Sequence, residues 1–515
     1  MRISTAQFYE TTAANYQKNF SNVVKSSEEA SSLVRVNTAA DDPVGASRLL
    51  QLGQQASMLD QYAANTNTIK ATLGQAESVL DSITNVLQRA KELAIGANNA
   101  GYTDADRQAN ASELGQIEEQ LLSLMNTKDE NGKYIFAGSK GDVAPFSRNS
   151  DGTYSYNGDQ STLNLPVGDN MSMATNSTGW ELFQQAINTA RTQVTGSMND
   201  GLVTLSDGQV NSNVTYNGKF RSGEPYQVSF VSGTQLLITD NLGNDVTSEA
   251  SQGGVITNGK NQGISFRGVD LALNFNDPAA PLAGRTFTLQ GKPDSFNVSR
   301  SPGNPSTVQT TGTRITDPVA YHASFPSGSA VLKFTSATTF DLYAAPITAD
   351  SRPVSSGTMV GNTATASGVE FTLNDTGANP LQNGDQFNVS VNTHETQNIL
   401  DTVSQLKTAL NTPVTGNEVA VQKQQAAMTA GLGNLASGLD QVSAGLSSIG
   451  GRGSALDTQS DTNQALVLAN AQTQSVIRDS DPAEVMTRLT LQQTMLQASQ
   501  LAFSKIAQLG LFNKV

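Results

Sequence analysis

Two histidines, His322 and His394, and no cysteine are all that a 515-residue chain offers for imidazole or thiol chemistry. Neither histidine lies in a cluster with metal-ligand spacing, so each reads as a polar surface residue. The absence of cysteine excludes disulfides, thiolate zinc sites and thiol nucleophiles together. Asp41-Asp42 is a carboxylate pair by type, but adjacent carboxylates in a loop serve as caps and hydrogen-bond acceptors rather than as an acid–base couple. Asp240-Asn241-Leu242-Gly243-Asn244-Asp245 is rich in oxygen ligands, yet it lacks the EF-hand spacing and closing Glu, and reads as a tight turn between strands. No G-x-S-x-G nucleophile elbow or P-loop occurs. The single tryptophan, Trp180, sits at a helix start and is expected in a core. No catalytic, metal or cofactor-binding residue can be nominated, and neither an enzyme nor a cofactor is expected.

Composition narrows the remaining classes. Charged residues make up 15% of the chain, against about 25% in an ordinary soluble protein. A formal charge of -14 argues against a nonspecific grip on nucleic acid or anionic lipid, which needs clustered Lys and Arg. No apolar run approaches the roughly 18–20 residues that span a bilayer, so no membrane insertion is expected. Met1-Arg2-Ile3-Ser4-Thr5-Ala6-Gln7 has no apolar signal-peptide core. At roughly 100–200 residues per domain, the length implies several domains.

Both ends repeat apolar side chains with helical spacing. Tyr9, Ala13, Tyr16, Phe20, Val23, Ser27, Ala30 and Val34 follow alternating four- and three-residue steps, the seam of a helix packed on another helix. Asp42 and Pro43 form an N-cap and first-turn proline. The helix they open runs to about Ala97, with Ile69, Leu73, Ala76, Leu80, Ile83, Leu87, Ala90 and Ala94 on its seam. Thr103-Asp104-Ala105-Asp106 resembles a capping box and opens a third helix. Towards the other end, Ile399, Val403, Leu406 and Leu410 begin a helix that is interrupted near Pro413 and Gly416. Met428, Leu432, Leu435, Leu439, Val442, Leu446 and Ile449 continue the pattern. Gly450-Gly451-Arg452-Gly453 reads as a break on propensity alone, since each Gly costs about 1 kcal/mol against Ala. A last helix opens at Asp481-Pro482, with Leu489, Leu496 and Phe503 in one seven-residue series and Met495, Ala502 and Leu509 in another.

Between the ends, short alternating runs such as Tyr226-Gln227-Val228-Ser229-Phe230 and Thr286-Phe287-Thr288-Leu289 read as strands. Three segments recur in order: Val228-Ser229-Phe230 in Leu332-Lys333-Phe334, Gly263-Ile264-Ser265-Phe266 in Gly368-Val369-Glu370-Phe371, and Arg285-Thr286-Phe287 in Asp385-Gln386-Phe387. Two tandem all-β modules follow, at 204–300 and 315–392, joined through Ser301-Pro302-Gly303-Asn304-Pro305. The expected fold class is α+β: long N- and C-terminal helices form a shared coiled-coil-like rod that carries two inserted all-β modules. The rod comprises 41–200 and 396–480, with a small β region near 131–170. Its core is expected to hold Ile69, Leu73, Leu80, Ile83, Leu87, Leu435, Leu439, Val442 and Leu446. Residues 1–40 and 481–515 are terminal assembly helices. Two single helices make a poor core, so their apolar faces need neighbouring subunits. Tyr9, Tyr16, Phe20, Val23, Val34, Leu489, Leu496, Phe503, Ile506 and Leu509 are the expected intersubunit residues.

This combination resembles the flagellin superfamily. Asp41-Asp42-Pro43-Val44-Gly45-Ala46-Ser47 is similar to that superfamily's D-D-x-x-x-A/G-S signature. Asn131-Gly132-Lys133-Tyr134-Ile135-Phe136-Ala137-Gly138 and the opening Met1-Arg2-Ile3-Ser4-Thr5 are closer to the branch found where hook meets filament. Leu491-Gln492-Gln493-Thr494-Met495-Leu496-Gln497-Ala498-Ser499-Gln500 resembles that branch's terminal pattern. Ile449-Gly450-Gly451-Arg452 looks like an I-G-A-R stretch inside one long helix, which favours continuity there. Two departures fall between the first helices: Leu33-Val34 stands where the family has a Gly-Lys or Gly-Leu pair, and Ala39-Ala40 where it has Pro-Ser.

The resemblance implies a structural component of the bacterial flagellum, an adaptor ring joining hook to filament. Its implied partners are copies of itself, a neighbouring hook-associated protein on the hook side, flagellin on the filament side, and an export chaperone at the C-terminal region. It also implies an extracellular location, reached by type III export without a cleaved signal peptide. The alternatives are a minor flagellin that builds the filament itself and a surface adhesin that uses the β modules.

Overall fold

The structure is a computed structural model that describes residues 2–512, apart from Ala100, Ser150, Asp151, Asn199, Asp294, Pro302, 326–328, Pro346, 348–350 and 376–378. Six long helices form the two ends. From the N-terminal side come α1 (Arg2–Ser32), α2 (Pro43–Ala97) and α3 (Asp104–Met125); from the C-terminal side come α4 (Ile399–Asn411), α5 (Glu418–Arg478) and α6 (Pro482–Phe512). Polar residues fix their starts. The Asp42 carboxylate accepts the Gly45 N–H at 2.9 Å, Thr103 and Asp106 form a complete capping box, and Asp481 accepts the Ala483 N–H at 2.8 Å. Helix α5 is continuous through Gly450, Gly451 and Gly453, where an added Cβ would meet open space. Each glycine therefore costs only its propensity, about 1 kcal/mol, and the buried Ile449 and Leu456 hold the helix on either side. Among the described residues, no helix is long and apolar enough to cross a membrane.

The chain divides into two compact units, one of Met1–Thr68, Leu165–Met173 and Ser454–Val515, the other of Ile69–Asn164 and Ala174–Gly453. In the larger unit, α2 buries Ile69, Leu73, Leu80, Ile83 and Leu87, none more than 4% exposed. Helix α5 buries Met428, Leu435, Val442 and Ile449, a strict seven-residue series. Leu439 and Leu446, expected on that seam, are only half-buried, because the Met428 series takes its centre and turns them to the edge. Helices α3 and α4 pack together around Glu118, which is 1% exposed, pairs with Lys407 and accepts a hydrogen bond from the Tyr154 hydroxyl at 2.8 Å. That network ties β1 (Phe146–Arg148) and β2 (Tyr154–Tyr156) to the helices.

The smaller unit has a different seam. The Met428 series continues along α5 as Leu456, Asn463 and Asn470, all buried, and α2 adds the buried Thr66. The hairpin of β3 (Asn164–Gly168) and β4 (Met171–Ala174) supplies acceptors to this polar layer. Asn463 Nδ2 donates to the Val167 carbonyl at 2.9 Å, and Asn65 Nδ2 to the Pro166 carbonyl at 2.7 Å. Asn470 Nδ2 donates to the Leu52 carbonyl at 3.0 Å.

The chain leaves the helical part through β5 (Ala186–Ile187) and returns through β22 (Thr396–Gln397), which pair antiparallel. The first module contains β6 (Thr192–Gly196), β7 (Val203–Leu205), β8 (Gln209–Val210), β9 (Tyr226–Ser232), β10 (Gln235–Thr239), β11 (Gln262–Phe266), β12 (Val269–Phe275) and β13 (Thr286–Gly291). Its sheets run β10-β9-β13-β6 and β11-β12-β7, with β8 also on β12. The second module contains β14 (Ser295–Arg300), β15 (Gln309–Ile315), β16 (Ser329–Phe334), β17 (Thr339–Ala344), β18 (Ser355–Thr358), β19 (Thr363–Ala366), β20 (Val369–Asn374) and β21 (Gln386–Asn392). Its sheets run β14-β21-β16-β17-β18 and β15-β20-β19. Each module has its own aromatic core.

The boundary between modules differs from the expected one. Residues 295–300 pair with β21 in the second module, and Ser301 turns back to donate to the Gln386 carbonyl at 3.0 Å. Ser301 and Asn304 therefore belong to that module, both bonded to Gln386, and are not part of a linker. Alternation identifies a strand but not the sheet that claims it.

The pairing register bears on the internal repeat. Val228 faces Phe287 as Leu332 faces Phe387, and Ile238 faces Val228 as Leu342 faces Leu332. The middle match is corrected: Gly368 corresponds to Gly268, not Gly263. Arg267-Gly268 and Ser367-Gly368 form matching left-handed turns, with φ of 46° and 83° in one and 47° and 79° in the other. The Gly268 carbonyl accepts from the N–H groups of Asn211 and Ser212, and that of Gly368 from Thr316 and Asp317. A Cβ on Gly268 would lie 2.8 Å from the Ser212 carbonyl oxygen, and one on Gly368 would be closer still to that of Asp317. Gly268→Ala and Gly368→Ala are each expected to destabilise their own module by about 1–3 kcal/mol and leave the other unchanged, measured by calorimetric unfolding of the whole chain.

Candidate assembly interface

The residues with chemical potential are engaged in turns and caps. His394 Nε2 lies 3.1 Å from the Pro293 carbonyl, and the side chain of His322 lies outside the described residues. Asp240 accepts from the Leu242 and Asn244 N–H groups and from Asn244 Nδ2, which closes its loop on itself. Among the described residues, no three potential ligands gather as a metal site. Trp180, expected in a core, is half-buried at the start of a π-helical turn, with its ring 6.2 Å from that of Tyr156.

The loop Asn131–Gly138 shapes the end of α3. The Asn131 N–H donates to the Asp129 carboxylate at 2.9 Å, and Gly132 has φ +76°. Lys128 sits over the Tyr134 ring, and Phe136 is fully buried, edge-on to Phe183. Gly138 has φ +71° and lies too close to Asp159 for any Cβ. These residues act through the fold.

The connection from α1 to α2 runs antiparallel to the chain entering α6. Val34 forms a β-bridge with Asp479, the Arg35 N–H donates to the Arg478 carbonyl at 2.6 Å, and the Ser480 N–H donates to the Leu33 carbonyl at 2.9 Å. Leu33 itself has φ +55°, the left-handed conformation that glycine adopts without cost. This is where the sequence departs from the glycine-containing pair of the superfamily it resembles. Asp41 accepts from Lys25 at 2.7 Å and from the N–H and hydroxyl of Thr38, and those contacts, Lys25 first, hold its carboxyl at about 2. Pro43 is the first residue of α2, behind the Asp42 cap.

Helices α1 and α6 form an antiparallel pair. Tyr16 stacks with Phe503 at 6.1 Å, Asn19 Nδ2 donates to Ser499 Oγ at 3.2 Å, and Glu29 pairs with Arg488. Tyr16, Val23, Leu489, Leu496 and Phe503 are half-buried, on or beside this seam. The seam thus uses within one chain side chains expected between subunits. The side chains of Tyr9, Ile506 and Leu509 lie outside the described residues. A second stripe stays bare: Leu491 is 61% exposed and Met495 52%, and Ala498 and Ala502 continue it at helical spacing. On α1, Phe20 is 52% exposed and Val24 41%. Elsewhere in the same unit Val44, Leu50, Leu468 and Val476 are all more than 60% exposed. The second stripe was partly legible in the Met495–Ala502 series, but spacing alone does not say which stripe meets α1.

Residues 3–141 match the family model of the bacterial flagellin N-terminal helical region. The flagellar hook-associated protein 3 of Salmonella typhimurium is 33% identical over 197 residues, 38% of this chain and 61% of that protein. Its Escherichia coli counterpart is 32% identical over 200 residues, 39% and 62% of the two chains. This chain thus spans about three fifths of the length of these curated relatives. A flagellin of Clostridium tyrobutyricum is 25% identical over 223 residues, 43% of this chain and 52% of that one. The solved flagellar junction protein of Legionella pneumophila is 19% identical, with 84% of this chain and 100% of that one covered and a TM-score of 0.49.

Leu33→Gly is expected to raise the stability of the smaller unit by about 0.5–1 kcal/mol, since relief of the left-handed conformation exceeds the entropy of added glycine. A lowered melting temperature would contradict this. In dilute monomer, Leu496→Asp is expected to unpair α1 and α6 and speed amide exchange in both, whereas Met495→Asp leaves exchange unchanged. Because its folded pKa is depressed, Asp41 stabilises the connection above its ordinary 3.8, and that contribution is lost as pH falls through about 2. Carbon-detected NMR of the Asp41 carboxyl checks this, and a midpoint near 3.8 would refute it.

Proposed function

We propose that this chain, a flagellin-superfamily protein, is a hook–filament junction adaptor that assembles into a ring through its terminal helices. The observation that carries the reading is the bare apolar stripe of α6, Leu491, Met495, Ala498 and Ala502, together with the exposed Phe20 and Val24 of α1. One seam of the α1–α6 pair is filled within the chain, and a copy of the same pair is the natural cover for the other. The relatives named hook-associated protein 3 support the junction role. By that reading, residues 1–40 and 481–515 form an inner tube and the helical part of 41–200 and 396–480 the layer around it. The two β modules face outwards. Its neighbours are a hook-associated protein on one side and flagellin on the other, and an export chaperone holds the C-terminal region before assembly. The protein reaches the outside of the cell by type III export, without a cleaved signal peptide.

The 25% identical flagellin keeps a filament-forming reading in view. Purified protein is expected to form no long filaments unaided, and immunogold labelling of intact flagella to mark one short band. Label along the whole filament would replace the adaptor with a flagellin. Leu491→Asp with Met495→Asp is expected to leave unfolding unchanged and abolish swimming. Normal motility in a stably expressed double variant would overturn the assembly role of the stripe.

A further inference from the structure

A cleft of about 960 Å³ lies between the first β module and the opening turns of α5, with both walls inside the larger unit. The module touches the helix through hydrogen bonds rather than a shared core: Thr204 Oγ1 donates to Gln422 Oε1 at 2.6 Å, and Gln209 Nε2 to the Thr429 carbonyl at 3.3 Å. Ala426 and Ala430, too small to fill the gap, keep it open. The volume falls at the upper end of the roughly 300–1,000 Å³ typical of small-molecule sites.

The cleft gathers positive charge in a chain that carries little. Lys292 is half-buried in the wall, and its ammonium makes no hydrogen bond or ion pair with any described residue. Burial pushes its pKa down, and the carboxylate of Asp207 opposes that shift. Lys423 reaches the same space from α5 and likewise lacks a described partner. The N-terminus of α5, capped by Asn417 on the Ala420 N–H at 3.0 Å, adds its dipole to the wall. Of the two lining carboxylates, Asp200 is held by both Nη atoms of Arg285, and Asp207 accepts the Val194 N–H at 2.9 Å. Thr192, fully buried in the same wall, has a hydroxyl with no partner among the described residues.

We propose that this cleft binds a small organic anion, with its acidic oxygens between Lys292 and Lys423 at the start of α5 and its neutral part against Ala426 and Ala430. Two ammonium groups without a hydrogen-bond or ion-pair partner among the described residues, and a helix N-terminus, supply the charge, and the backbone and amide groups of the wall supply direction. The site is independent of the terminal helices, so its failure leaves the junction reading intact.

The test is calorimetric titration of the full-length chain with inorganic phosphate, citrate and digalacturonate, at low and at physiological salt. At least one probe is expected to saturate with a Kd below about 1 mM, more weakly as salt rises. Saturation by phosphate alone would identify phosphate oxygens as the recognised group, and saturation by citrate or digalacturonate would identify carboxylate. Lys292→Gln and Lys423→Gln are each expected to weaken binding by about tenfold or more, while Lys219→Gln, outside the cleft, leaves it unchanged. If Lys292→Gln melts early, the exposed Lys423 carries the test. No saturation by any probe below about 10 mM, or affinity indifferent to Lys423→Gln, overturns the proposal.

Discussion

A pair of helices has one seam, and α6 carries two apolar stripes. Leu489, Leu496 and Phe503 belong to the side that meets α1, while Leu491, Met495 and Ala498 stay in water. The few charged residues of α6 are partly committed elsewhere: Arg488 to Glu29, and Asp481, just before it, to the helix start. The outer stripe is therefore neither packed nor solvated by nearby charge. At roughly 25 cal/mol per Å² of apolar surface, covering such a stripe along several turns is a large term beside the stability of any single domain. The low charge content of the chain, which as a global figure only set aside nucleic acid and lipid, bears locally on the proposal that a second copy covers this stripe.

The seven-residue series of α5 shows how the same spacing serves two ends. In the larger unit the Met428 series is apolar and buried, which gives stability without much discrimination between neighbouring registers. In the smaller unit the series turns to Asn463 and Asn470, with acceptors at Val167 and Leu52. Buried amides contribute less stability than leucine, but only one register satisfies them. A unit held by polar layers and one α1–α6 seam has less of its own core to rely on, which makes its order more dependent on what covers it.

Much of this was legible from residue types. Helix starts at Asp42-Pro43, Thr103 and Asp481-Pro482 follow from capping chemistry, and the long seams follow from seven-residue spacing. Other features depend on information that spacing does not contain. Which stripe of α6 faces α1 is set by the partner helix. Whether 295–300 joins the first or second module is set by which sheet offers it an edge. The repeat was visible through its aromatic positions, but its register slipped at Gly263, because the decisive signal was a pair of left-handed turns at Gly268 and Gly368. At Leu33, a leucine occupies a backbone conformation that sequence patterns assign to glycine, so the departure from the pattern the chain resembles became meaningful only with φ in hand.

Hydroxyl-radical footprinting of the dilute monomer against intact flagella measures the central claim directly, by comparing oxidation at Leu491, Met495 and Leu435. The account predicts strong labelling of Leu491 and Met495 in the monomer, strong protection of both in the assembled organelle, and little labelling of Leu435 in either. Equal labelling of Met495 in monomer and flagellum would contradict the claim that another subunit covers the outer stripe.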